Sequence, residues 1–135
     1  MTAPLVRCDW ALTGGANIGD AYLRYHDEVW GVPERDPRIL FEFLILEGAQ
    51  AGLSWSTILR KLGGYRRAYD GFDPEVIATY GDDDAARLLA DEGIVRNRAK
   101  IAASIGNARA WLELDDPSQY LWGFTGGSVI ENSWP

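Results

Sequence analysis

Three Asp-Pro pairs occur at intervals along this chain, and they constrain its fold more than any other feature. An aspartate before a helix accepts hydrogen bonds from the unpaired amides of the first turn, and a proline is tolerated at the first helical position because its missing N–H would be unpaired there. Ser54 and the run Asp82–Asp84 are further candidates for helix starts. The pairs, each of which predicts a helix start, are Asp36-Pro37, Asp73-Pro74 and Asp116-Pro117.

Between these marks the spacing of apolar residues is helical. The two clearest faces are Leu40, Phe43, Leu44 and Glu47 in a helix over about residues 37–50, and Ile101, Ile105, Ala108 and Leu112 in a helix over about residues 99–114. Glycines predict the intervening stops and turns, at Gly63-Gly64, Gly71, Gly81 and Gly93. No segment shows the sustained period-two alternation that strands need. We therefore predict an all-α fold of roughly six short helices joined by tight turns.

Length and composition fit one globular domain over residues 1–135, with 47% hydrophobic and 24% charged residues. The net charge of -7 argues against a protein that coats nucleic acid by bulk electrostatics. The single cysteine, Cys8, excludes an internal disulfide and fits a reducing compartment. There is no apolar run long enough to cross a membrane, and Asp9 interrupts the N-terminus before a secretory core could form. We expect a cytoplasmic protein with no membrane contact.

Charge is segregated along the chain, so a local basic face is compatible with the acidic total. Acidic residues concentrate between two basic clusters, which are Arg60, Lys61, Arg66 and Arg67, then Arg96, Arg98, Lys100 and Arg109. For the first cluster alone, a solvated helix face is the simpler explanation.

Glu47 is the first residue that could carry chemistry. It follows Phe43 by one helical turn, so its carboxylate projects from the apolar side of the helix, and the neighbouring Gly48 and Ala49 leave room for a cavity. A charge there needs a partner or a shifted pKa. The alternative is a Glu at a fraying helix end that reaches solvent.

The segment from Gly93 to Ile101 has the form of a helix-hairpin-helix, with a short helix before the glycine and a second helix from about Ala99. Such a turn can aim backbone N–H groups at a phosphate, and the basic side chains would add charge to that contact. Many helical hairpins carry Gly and Arg without touching DNA. The candidate DNA-binding residues are Gly93, Arg96, Asn97, Arg98 and Lys100.

Cys8 and His26 are the candidate metal ligands. Sulfur and imidazole nitrogen suit zinc, but a closed structural site needs about four protein ligands. The chain has one Cys and one His in total. Taken alone, Cys8 reads as a small buried hydrophobe and His26 as a hydrogen-bonded histidine.

Several of these segments together resemble the 3-methyladenine DNA glycosylase I family. They agree in order and approximate interval over roughly residues 7 to 124, and a set of this kind is highly specific. The matching segments are Arg7-Cys8-Asp9-Trp10, Tyr25-His26-Asp27-Glu28-Val29-Trp30-Gly31-Val32-Pro33, Leu46-Glu47-Gly48-Ala49-Gln50-Ala51-Gly52-Leu53-Ser54-Trp55 and Gly93-Ile94-Val95-Arg96-Asn97-Arg98.

The resemblance implies a helix-hairpin-helix glycosylase fold and a family pocket at Glu47, Tyr22, Tyr25, Trp30 and Trp55. It also implies zinc ligation by Cys8 and His26, with a second His and Cys from a C-terminal segment. Family members continue for several more helices, whereas this sequence stops at Asn132-Ser133-Trp134-Pro135. We therefore expect a C-terminally incomplete domain, with zinc possible but only half of its ligands present.

The implied reaction is hydrolysis of the N-glycosidic bond of 3-methyladenine in double-stranded alkylated DNA, with Glu47 as the catalytic residue. Since the sequence offers no separate candidate for a lysine Schiff base, monofunctional hydrolysis is favoured, and no obligate protein partner is evident. One alternative is an impaired family member that binds DNA without excising anything. Another is an acidic helical interaction module, which would explain the charge of -7 but none of the motifs.

Overall fold

The computed structural model describes residues 5–13 and 20–133, and these residues confirm the all-α prediction. No strand occurs in them, and none of their helices is long and apolar enough to span a bilayer. A π-helical turn (Tyr25–Val29) continues the second helix, and a 3₁₀ turn (Asp70–Phe72) follows the fifth. The α-helices of the described ranges are α1 (Asp9–Thr13), α2 (Asp20–Arg24), α3 (Pro37–Gln50), α4 (Trp55–Arg60), α5 (Leu62–Ala68), α6 (Pro74–Ile77), α7 (Asp82–Leu89), α8 (Arg98–Leu112) and α9 (Pro117–Gly123).

The helix starts predicted from the Asp-Pro pairs are confirmed. Asp36, Asp73 and Asp116 each cap a helix, accepting from amides two or three residues later, and Ser54 caps α4 in the same way. The run Asp82–Asp84 is different, because the cap residue of α7 is Gly81. Its N–H donates to the Asp84 carboxylate at 3.1 Å, so the acid acts from inside the helix.

Helix α8 is central to the core and packs against α3, α6 and α7. Phe41, Ile58 and Leu88 have no exposed surface, and two ring pairs, Phe41–Trp111 and Tyr69–Phe72, lie with centroids 5.5 and 5.7 Å apart. The core runs from residue 41 to residue 111, so the N-terminal helices lie outside it.

The residues that the sequence grouped on one face of α3 and of α8 coincide only in part with the faces that the core buries. In α3 the buried residues are Phe41, Ile45, Leu46 and Ala49, while Leu44 is 42% exposed. In α8, Trp111 is buried and Leu112 is 45% exposed. Because α3 is apolar around most of its circumference, periodicity alone could not choose the side that meets α8.

Gly63-Gly64 was predicted as a stop, but both glycines lie inside α5. Gly64 is required by packing, since a Cβ placed there would lie 2.2 Å from the Gly93 carbonyl oxygen. The backbones of α5 and of the turn after α7 therefore touch through two glycines. Gly71 does form a turn, with φ of 65°.

Candidate functional site

A cavity of about 550 Å³ opens between the end of α2, helix α3 and helix α4. One wall comes from the π-helical turn, which contributes Tyr25 and Trp30, and the other from Phe43, Glu47 and Trp55. The structure thus brings four of the five predicted pocket residues to one cavity. Tyr22, the fifth, is not part of its lining.

The π-helical turn positions the first wall. The Trp30 N–H donates to the Tyr25 carbonyl at 2.8 Å, a bond that spans five residues and closes the turn. The extra residue rotates the following side chains relative to an α-helix, and such turns are frequent at functional sites. Here it puts Tyr25 and Trp30 on the cavity side of the same short segment.

Trp10 joins the aromatic residues behind this wall. Its ring centroid lies 5.3 Å from that of Tyr22, 5.2 Å from Trp30 and 5.1 Å from His26. Tyr22 therefore supports the wall through Trp10 without reaching the cavity. Sequence reasoning did not assign Trp10 a role, although it stands in the Arg7-Cys8-Asp9-Trp10 segment.

The second wall belongs to the core. Ser54 caps α4, which places Trp55 at its first position, and the Trp55 ring stacks on Phe43 at 6.4 Å and approaches Tyr25 to 5.5 Å. One turn after Phe43, the exposed Glu47 carboxylate lines the same cavity. Among the described residues it has no hydrogen-bond or ion-pair partner, so it is available to a ligand.

The Tyr25 hydroxyl faces a negative environment. Burial raises the pKa of Tyr25, the charges of Glu47 and Tyr22 raise it further, and the nearby Trp55 indole lowers it. The hydroxyl therefore stays protonated and able to donate. The Trp55 indole N–H is buried and lacks a partner at full hydrogen-bond geometry within the described residues, which leaves a second donor close by.

An ion pair that the sequence analysis missed lines the far end of the cavity. Arg66 donates to both oxygens of Glu42, with the shorter contact at 2.6 Å, and this pairing raises the pKa of Arg66. The two residues are 24 positions apart on α3 and α5, so no local pattern could have indicated the contact.

Cys8 and His26 lie together, as the resemblance implied. The Cys8 N–H donates to His26 Nε2 at 3.3 Å, and His26 Nδ1 lies 3.0 Å from Asp27, which also accepts from Arg7. Both partners lower the pKa of Asp27 to about 2, Arg7 contributing most. No group of three or more potential metal ligands occurs among the described residues.

The predicted helix-hairpin-helix is present as α7, a turn and α8. Asn97 caps α8 by accepting from the Lys100 N–H at 3.0 Å. In the described chain, the amides of Arg96, Arg98 and Ala99 make no hydrogen bond, so three N–H groups at the start of α8 are free. The Gly93 N–H is not among them, because it donates to Asp91 at 2.7 Å. Gly93 shapes the turn against Gly64.

In each of the two basic clusters, some cations have a hydrogen-bond or ion-pair partner among the described residues and others have none. Lys61, Arg66 and Arg109 donate to backbone carbonyls or to Glu42. Lys100 was expected to add charge at the phosphate contact, and in the structure its ammonium donates to two carbonyls of the α3 end. As the structure describes these two clusters, their cations without such partners are Arg60, Arg67, Arg96 and Arg98.

In the described residues, an all-helical fold, a hairpin with free amides and an aromatic cavity lined by an unpaired carboxylate define a helix-hairpin-helix protein with a candidate ligand pocket. Comparison with known proteins gives the family. The model of the methyladenine glycosylase family matches residues 16–135, and the chain belongs to this family.

The chain is 44% identical to DNA-3-methyladenine glycosylase 1 of Escherichia coli over 122 residues, which is 87% of this chain and 63% of that protein. A Haemophilus influenzae DNA-3-methyladenine glycosylase is 41% identical over 133 residues, 96% of this chain and 69% of that protein. A crystal structure of 3-methyladenine DNA glycosylase I (TAG) superposes with a TM-score of 0.83 at 46% identity, covering 91% of this chain and 67% of that one. The chain thus spans about two thirds of the length of these relatives.

Proposed function

We propose that this protein excises 3-methyladenine from alkylated double-stranded DNA by hydrolysing the N-glycosidic bond. The observation that carries the proposal is the unpaired Glu47 carboxylate in a cavity walled by Tyr25, Trp30 and Trp55. A relative of this fold, a variant of 3-methyladenine DNA glycosylase I at 35% identity and a TM-score of 0.79, is known in complex with 3-methyladenine.

The physical argument begins with the charge of the substrate. Methylation at N3 makes the base cationic while it is attached to the sugar, so the leaving group is already activated. Aromatic faces of Tyr25 and Trp55 attract a flat cation, and the Glu47 carboxylate accepts hydrogen bonds from its exocyclic amine. Extruding the base from the duplex costs a few kcal/mol, less for a damaged base, which favours the lesion.

The lining of the cavity supports hydrolysis over strand cleavage. A bifunctional glycosylase needs an amine nucleophile that forms a Schiff base. Around this cavity the described lining residues include Arg24 and Arg66 but no lysine. The chemistry left to the protein is capture of the base and electrostatic stabilisation of the bond-breaking step by Glu47.

Glu47→Gln tests the proposal. The substitution keeps the size of the side chain but removes the anion and turns one acceptor into a donor. Losing one charge-assisted contact costs ~1.5–3 kcal/mol, so single-turnover release of 3-methyladenine should slow by roughly one to two orders of magnitude. Trp55→Ala should slow release through lost stacking, worth about 1–3 kcal/mol. Binding to undamaged duplex is the control, and it should change little. Unchanged release by Glu47→Gln in an active protein would remove Glu47 from the site.

The hairpin is the proposed DNA contact. Arg96→Ala or Arg98→Ala should weaken binding to damaged and undamaged duplex alike, because both exposed side chains would meet phosphate and not base edges. Each should reduce the salt dependence of binding by about 0.9 in log K against log salt concentration. An effect confined to methylated DNA would place these residues in the pocket instead.

The second candidate function is DNA binding without excision. It would need only the hairpin, with its free amides and the exposed Arg96 and Arg98, and not the cavity. A protein that binds duplex with a steep salt dependence but releases no base from alkylated DNA would have this function, whereas release of 3-methyladenine would exclude it.

For zinc we propose weak or no stoichiometric binding by this chain. His26 Nδ1 faces Asp27, as in many metal-ligating histidines, but its Nε2 already accepts a hydrogen bond from the Cys8 N–H, which a metal would have to displace. Two protein ligands are half of a closed structural site. Elemental analysis of the purified chain should find well under one zinc per chain. One tightly held ion per chain would require ligands from another chain or from carboxylates.

A further inference from the structure

Lys100 stands at an unfavourable end of its own helix. It is the third residue of α8, in the first helical turn, where the helix dipole is positive. A cation is disfavoured there. The Lys100 ammonium instead lies at the C-terminal end of α3, where it donates to the Ala49 carbonyl at 2.9 Å and to the Ala51 carbonyl at 2.7 Å. These carbonyls terminate α3, where a positive charge is stabilising.

The contact falls on the short segment that joins the two ligand-facing residues of the second wall. Ala49 follows Glu47 by two residues, and Ala51 begins the turn through Gly52, whose φ is +79°. Local hydrogen bonds complete the turn: the Gln50 side-chain amide donates to Leu53 O at 2.5 Å, and the Leu53 N–H donates to Gln50 O at 2.7 Å. Ser54 then caps α4 ahead of Trp55.

The other end of the contact is the hairpin. The Lys100 backbone N–H donates to the Asn97 side chain, and the free amides of Arg98 and Ala99 come directly before it in the chain. One residue therefore links the start of α8, which we propose meets phosphate, to the turn between Glu47 and Trp55. The two linked segments are about 50 residues apart in sequence, with Lys100 separated from Ala49 by 51 positions.

We infer that Lys100 is a positioning residue, which fixes the turn between Glu47 and Trp55 against the DNA-binding hairpin and does not itself contact phosphate. The inference rests on the proposed function and names a further residue on which it depends. Two of the three ammonium N–H groups are used in the contact, and the side chain is half-buried, so removing it releases the end of α3. The pocket then loses the fixed distance between its carboxylate and its indole.

The test compares Lys100→Met with Arg96→Met in the full natural protein. Both remove one positive charge from the hairpin, but only Lys100 contacts the α3 end. Three quantities are measured for each: the salt dependence of binding to undamaged duplex, hydrogen exchange of the amides in residues 50–57, and single-turnover release of 3-methyladenine.

For Lys100→Met we expect an unchanged salt dependence, faster exchange at residues 50–57 and release slowed by on the order of 10- to 100-fold, the scale of a small misplacement of catalytic groups. Lys100→Arg keeps the charge and several donors, so it should restore most of the release. Arg96→Met should reduce the salt slope by about 0.9 and leave exchange at residues 50–57 as it was.

A salt slope reduced by about 0.9 in Lys100→Met, with exchange at residues 50–57 unchanged, would make Lys100 a phosphate contact and overturn the inference. Unchanged release in an active protein would overturn it too. If Lys100→Met fails to fold, Lys100→Gln is measured with the same readouts and the same expected order. The salt slope and the hydrogen exchange can be measured without any base release. If the unsubstituted protein releases no base, that result contradicts the proposed function, and the two other measurements still decide what Lys100 contacts.

Discussion

The two walls of the cavity are held in place by different forces. Helices α3 and α4 belong to the core, with Leu46 2% exposed and Ile58 fully buried next to the cavity-lining residues. The opposite wall, from α1 to the π-helical turn, has a single buried residue in its described part, Ala11. It is held by ring contacts around Trp10 and by the exposed Arg7–Asp27 ion pair at 2.8 Å.

This difference separates stability from ligand binding. The core wall is fixed by global folding, and the Lys100 contact holds the turn between Glu47 and Trp55 against the hairpin. The N-terminal wall buries little apolar surface and contributes little to the free energy of unfolding, so it can open locally at small cost. Substitutions in the core wall should therefore lower the free energy of unfolding strongly, whereas substitutions in the N-terminal wall should lower it little.

The largest effect on stability is expected for Phe41→Ala. Phe41 is fully buried and packs against Trp111, and truncating such a side chain costs about 3–5 kcal/mol of unfolding free energy. Trp30→Ala removes a ring that is 51% exposed and should cost under about 1.5 kcal/mol, the upper value of an aromatic pair. Urea denaturation of the two variants checks the comparison. A loss for Trp30→Ala as large as that for Phe41→Ala would show that the N-terminal wall is part of the core.

A smaller effect is expected for Gly64→Ala, which tests the contact between α5 and the hairpin turn. The new Cβ would lie 2.2 Å from a backbone oxygen of Gly93, and overpacking of this kind costs about 1–3 kcal/mol or more. Gly63→Ala is the matched control on the same helix, since its Cβ would meet only the end of the Arg67 side chain at 3.4 Å. It should be neutral or stabilising by up to about 1 kcal/mol, because alanine favours helix. Thermal unfolding of both variants decides. Equal melting temperatures would mean that the backbones do not touch.

The smallest effect on stability is expected when the pH is lowered. The pKa of Asp27 is lowered to about 2, so its ionised form is favoured in the folded state. The stabilisation is complete above the ordinary Asp pKa of 3.8 and is lost as the pH falls through about 2. Hydrogen-exchange protection of the Trp30 amide should fall in that window, ahead of the core amides. Asp27→Asn should remove this pH dependence, and a dependence that persists in the variant would assign it to another carboxyl.

Much of the fold was accessible from the sequence, because helix caps depend on adjacent residues. Asp36-Pro37 predicted the start of α3 to the residue, and Ser54 acts through a side chain that reaches only three positions ahead. The sequence also predicted that Tyr25, Trp30, Glu47 and Trp55 lie together, through the family resemblance. It did not identify Trp10, whose contacts with Tyr22 and Trp30 depend on how α1 lies against the π-helical turn.

What the sequence by itself determined is therefore the all-α class and the helix starts that Asp36, Asp73, Asp116 and Ser54 mark. The tertiary structure alone decided which face of α3 is buried and which cations are free. Leu44 and Ile45 are equally apolar, and only the position of α8 makes one exposed and the other buried. Lys100 and Arg98 are equally basic, and only the carbonyls of a helix end some 50 residues away distinguish them. Burial and charge pairing are set by neighbours in space, and those neighbours exist only once the chain has folded.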